Sequence, residues 1–84
     1  MTVTINVTQR DIDRGRDCHC TECPIALAAK RKFRSRSVEV FDDFIRIGGD
    51  FGYKLPVEAR IFVSAFDFDR KSPNVKPFRF TLEV

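Results

Sequence analysis

With 84 residues, the chain is long enough for one thin hydrophobic core and too short for a substrate cleft between two domains. Hydrophobic residues at 43% and charged residues at 32% exclude the composition of a disordered chain, and no window approaches the ~18 apolar residues of a membrane span. Fifteen Lys and Arg against twelve Asp and Glu leave a net charge of +3, an excess that favours acidic partners without requiring them.

In chain order, Val3, Ile5 and Val7 alternate within residues 2–8, the period of a half-buried strand. Thr8 stands three residues before Asp11, a capping box with Asp in place of Glu, and predicts a short helix from about Gln9 to Arg14. Gly15 is expected to close it in a left-handed conformation. Pro24 suits the first position of the next helix, whose apolar face is Ile25, Leu27, Ala28 and Ala29 and whose last turn carries Lys30 to Lys32. Val38 and Val40, a turn at Asp42 and Asp43, and Phe44 to Ile47 read as a hairpin.

Residues 48–52, Gly-Gly-Asp-Phe-Gly, read as a loop; their spacing matches neither phosphate-cradling glycine motif. Between Pro56 and Phe66, Val57, Ile61, Phe62, Ala65 and Phe66 recur at helical spacing, predicting a second main helix with Ile61, Phe62 and Phe66 facing inward. Phe78, Phe80, Leu82 and Val84 alternate as a closing strand. The expected architecture is a single α+β domain over residues 1–84: an antiparallel sheet of about four strands packed on two main helices, plus one short helix. Nine Phe and no Trp make aromatic rings without hydrogen-bond needs its main packing units.

Candidate chemistry concentrates in residues 18–36. Cys18, Cys20 and Cys23 enclose His19, a group that resembles a zinc ligand set but lacks the usual distant second pair of ligands. The alternative is a Cys23 that packs as a small hydrophobe before the helix, with Cys18 and Cys20 in a loop and no cofactor bound. An odd number of cysteines argues against a secreted disulfide framework, and residues 1–7 lack the basic start and apolar run of a signal peptide, so the expected location is the cytoplasm. The helix dipole can lower the pKa of Cys23, and His19 is near it in sequence. No second histidine or oxyanion signature accompanies them, so no catalytic residue is assigned and the chain is expected not to be an enzyme. Asp42, Asp43, Asp67 and Asp69 read as turn carboxylates.

Lys30, Arg31, Lys32, Arg34 and Arg36 place five positive charges in seven residues with Phe33 among them. Such a run can follow a phosphate backbone while the ring stacks on a base, or it can meet an acidic protein surface. Arg10, Arg14 and Arg16 extend it if the first helix lies alongside. The alternative is a solvated helix end whose Phe33 returns to the core.

A strand followed by Asp11-Ile12-x-x-Gly15, then Cys23-Pro-Ile-Ala-Leu-Ala28, a helix ending in Ala65-Phe66-Asp67, and Pro77-Phe-x-Phe80 before a last strand resembles a group of small accessory proteins of bacteriophages and prophages. The resemblance covers most of the chain, but its motifs are structural punctuation and specify a family more than a chemistry. It implies a non-enzymatic module acting in the host-cell cytoplasm on a host protein or ribonucleoprotein complex, as inhibitors of host defence such as anti-CRISPR proteins do. In that group the cysteine before Pro-Ile-Ala-Leu is typical while the upstream ones vary, which weighs against zinc on Cys18 and Cys20. Direct nucleic-acid binding through residues 30–36 and a zinc-stabilised interaction domain are the alternatives.

Overall fold

The computed structural model describes residues 2–17, 19–34, 37–48 and 51–83, with the backbone alone for Phe51. Its elements run β1 (Thr2–Val7), α1 (Gln9–Arg14), α2 (Pro24–Phe33), β2 (Val38–Val40), β3 (Phe44–Ile47), β4 (Phe51–Lys54), α3 (Val57–Phe68) and β5 (Phe78–Glu83). The α+β class holds. Among the described residues, five strands in two antiparallel sheets replace the expected single sheet of about four: β1 pairs with β5, and β2, β3 and β4 form a meander.

The additional strand lies in part where the sequence reads as a glycine loop. Its register sets Ile45 against Tyr53 and Arg46 against Gly52. A Cβ on Gly52 would lie 2.8 Å from Cδ2 of Phe44, so the missing side chain is what lets that ring lie across β4. Phe44 in turn stacks on Phe41 at 4.5 Å, closing the β2–β3 end of the sheet.

Local signals set the helix starts. Thr8 Oγ1 accepts from the Asp11 backbone N at 3.3 Å, and Asp11 Oδ2 accepts from the Thr8 backbone N at 2.9 Å, both halves of the capping box. Gly15 ends α1 at φ −70 and ψ 152, extended rather than left-handed. Its role is close approach: a Cβ there would fall 2.6 Å from Pro24 Cδ, where α2 begins. Pro24 occupies the first turn of α2, and Cys23 caps it with Sγ accepting from the Ala26 backbone N at 3.4 Å.

The core joins both sheets to α2 and α3. Ile5, Val7, Phe80 and Leu82 meet Ile25, Ala28 and Ala29, then Val38, Val40 and Ile45, with Phe62 and Phe66 from α3. Phe62 lies 5.9 Å from Phe66 and 4.8 Å from Phe78, which continues to Phe80 at 5.6 Å. Ile61, expected inward, is 49% exposed, because the buried face of α3 is Ala59, Phe62, Val63 and Phe66. Phe33 is half-buried and packs on the core cluster. No helix among the described residues is long and apolar enough to cross a membrane.

Candidate functional site

The basic run occupies the last turn of α2, and α1 packs alongside that helix. Leu27 and Arg31, four apart on α2, share one stripe, and Arg34 follows as the C-cap residue beyond the last helical turn. Arg10 and Arg14, four apart on α1, line with Leu27, Asp11 and Arg31 a shallow hollow of about 310 Å³. Residues from two separate stretches thus build one cationic face.

Its members differ in what already holds them. Arg31 donates from Nη1 to Asp11 Oδ1 at 2.8 Å, and from Nη2 to Asp11 Oδ2 and the Asn6 carbonyl, both at 2.9 Å. Burial of Asp11 acts to raise its pKa. The Arg31 and Thr8 hydrogen bonds together outweigh that effect and hold the carboxyl below the usual range, so the hollow's single acid is ionised and neutralised from within. Lys30 Nζ donates to the Thr21 carbonyl at 2.7 Å, and Arg16 lies 3.7 Å from Glu22. Among the described residues, no ion pair engages Arg10, Arg14, Lys32 or Arg34. Arg36 lies outside the described residues.

Arg34 has a further property. It caps α2 in the left-handed region at φ 51 and ψ 38, with its backbone N donating to the Lys30 carbonyl. Glycine serves that position with least strain, and the chain places a long cation there instead.

The cysteine cluster leads into a second hollow. The turn through His19 and Cys23 is fixed by the Cys23 backbone N donating to the His19 carbonyl at 3.0 Å, and Val40 N donates to the Cys20 carbonyl at 2.7 Å, tying the turn to β2. Cys20 and Cys23 then border a cavity of about 380 Å³ whose walls include Phe41, Phe62 and Phe66, with Asp42, Asp43 and Asp67 also lining it. That size, with apolar walls and a few polar groups, suits a small ligand or an inserted side chain. Burial pushes the Cys23 thiol up to about 11, with backbone hydrogen bonds from Ala26 and Ile25 opposing the shift and nearby Asp67 adding to it. The dipole effect expected from the sequence is overridden, so Cys23 is a neutral thiol at pH 7 and a poor nucleophile. Among the described residues, no three His, Cys, Asp or Glu side chains gather to hold a metal ion, and Cys18 lies outside them. His19 is exposed, its Nδ1 3.0 Å from the Asp17 carbonyl.

The first helix does lie alongside, bringing Arg10 and Arg14 to Arg31, whereas the hold of Asp11 on Arg31 and the cavity that Cys20 and Cys23 share with Asp67 have no signal in the sequence. Comparison of the chain with protein-family models, with curated proteins and with solved structures gives no match.

Proposed function

We propose that the chain is a non-enzymatic binding module that uses the α1–α2 face to engage an acidic surface on a protein. The observation that carries this reading is the convergence of Arg10 and Arg14 with the end of α2 around a hollow whose one carboxylate, Asp11, is already neutralised by Arg31. Such a face attracts carboxylates and speeds their encounter. The cation at Arg34, in a backbone conformation suited to glycine, supports the same reading.

A protein partner is favoured over nucleic acid because Arg31 and Lys30 are tied into the fold, which breaks the continuous run of free cations that a phosphate backbone would follow. Phe33 likewise packs on the core, where it is poorly placed to stack on a base. Together with the resemblance to phage accessory proteins, these features make a host complex in the bacterial cytoplasm the proposed target, an anti-defence role being one concrete form.

The test is affinity capture from bacterial lysate with nuclease treatment, comparing the native chain with an Arg10→Glu/Arg14→Glu variant. A defined host protein held at fixed stoichiometry by the native chain and lost from the folded variant is expected. Recovery of heterogeneous nucleic acid alone, abolished by nuclease, would replace this reading with the nucleic-acid one.

A further inference from the structure

Helix α3 carries two apolar stripes. One is the buried face described above; on the opposite side, Val57, Ile61 and Phe68 are 62%, 49% and 84% exposed. At about 100° per residue, Val57, Ile61, Ser64 and Phe68 fall within roughly 60° of arc. Beside them lies a hollow of about 390 Å³ lined by Val57, Arg60, Ile61, Val63, Ser64 and Phe68 of α3 and by Asp42 from the turn between β2 and β3. An apolar stripe turned to solvent on so small a domain marks a contact surface.

Its pattern identifies what fits it. Val57 and Phe68 are equidistant from the point midway between Phe62 and Val63, and so are Ile61 and Ser64. A second copy of α3 laid antiparallel about a two-fold axis at that point sets Phe68 over Val57 and Ile61 against Ser64. Each large side chain then meets a smaller one, and the short Ser64 lets the helices approach closely. Charge follows the same symmetry. Arg60 and Asp67 lie on one flank of the stripe, where Asp67 also lines the cavity of Cys20 and Cys23 and Asp42 lines the hollow with Arg60, and Glu58 lies on the other; the two-fold operation apposes each flank to its own copy. Arg60 of each copy therefore comes beside Asp67 of the second, whereas Glu58 meets no like charge.

We propose that the chain forms a symmetric dimer through antiparallel packing of the outer stripes of α3. Three exposed apolar side chains per copy make a contact at the small end of specific interfaces, so the dimer is expected to dissociate in the micromolar range, about 1–100 µM. The inference is independent of the basic face.

Sedimentation equilibrium from about 1 µM to about 1 mM tests it, because that range spans the expected dissociation constant. The mass should rise from 9.7 kDa towards twice that value. Ile61→Asp and Phe68→Asp, both at exposed positions, should keep the native circular dichroism and weaken association by about tenfold or more. A mixture of Arg60→Asp and Asp67→Arg chains should associate more tightly than either alone, which a parallel or unrelated contact would not produce. A native chain that stays at 9.7 kDa throughout, or a dimer indifferent to both aspartate variants, would overturn the proposal.

Discussion

Arg31 grips both carboxylate oxygens of Asp11, at 2.8 and 2.9 Å, and so ties the end of α2 to the residue that completes the cap of α1. Three stretches of chain meet there, since the same guanidinium also reaches the Asn6 carbonyl at the end of β1. Asp11 is 4% exposed, so removing Arg31 would leave a buried carboxylate with only its Thr8 contacts.

The acid side of the stability profile should report this pair. The folded-state pKa of Asp11 lies below its unfolded value of about 4, so its contribution is complete above that value and is lost as pH falls through the folded value. Asp11→Asn should lower stability at pH 7 by about 1–3 kcal/mol and make the loss on acidification shallower. Urea unfolding at pH 7, 5 and 3 measures both effects; parallel curves for the native and variant chains would show that Asp11 contributes nothing to the acid response.

Phe62 anchors the aromatic cluster at 2% exposure, whereas Phe33 only packs on the edge of the core. Phe62→Ala should cost about 3–5 kcal/mol, a large share of what a domain of this size holds. Phe33→Ala should cost clearly less but more than a surface change of about 0.5 kcal/mol. Melting temperatures of the two variants decide, and equal losses would assign Phe33 a full core position.

What the sequence made legible is local. The Thr8–Asp11 capping box, Pro24 at a helix start and the Val38 to Ile47 hairpin depend on neighbours within a turn or two, and each formed where its signal lay. Strand β4 was hidden because Gly52 interrupts the alternation, and its cover comes from Phe44 on the adjacent strand. Ile61 was misplaced because α3 is apolar on two sides, and periodicity alone cannot say which stripe is buried. The Arg31–Asp11 pair spans twenty residues, and the cavity joining Cys23 to Asp67 spans more than twice that, distances at which sequence spacing carries no signal.

Cys23 should behave as a buried structural thiol. With the folded pKa at about 11 and the unfolded value near 9, its neutral form stabilises the fold below pH 9, and that contribution fades as pH rises from 9 to 11. In the native protein at pH 8, iodoacetamide should label Cys20, which is half-buried, well before Cys23. Mass spectrometry of timed digests reads the order. Labelling of Cys23 first would mean that the 380 Å³ cavity exposes its sulfur and activates it, and would reopen a catalytic reading of the site.

Arg34 allows stability and binding to be separated at one position. Its left-handed backbone is strained for any residue with a Cβ, so Arg34→Gly should stabilise the fold by up to about 1 kcal/mol, partly offset by the greater freedom of glycine in the unfolded chain. The same change removes one of the cations of α1 and the end of α2, Arg10, Arg14, Lys32 and Arg34, that no ion pair engages among the described residues. If the α1–α2 face meets an acidic partner, the variant should melt no lower than the native chain and bind that partner more weakly, with a smaller dependence on salt. Arg34→Lys keeps the charge and the strain, and should bind nearly as the native chain does. A glycine variant that binds at full strength would show that Arg34 contributes nothing to the contact.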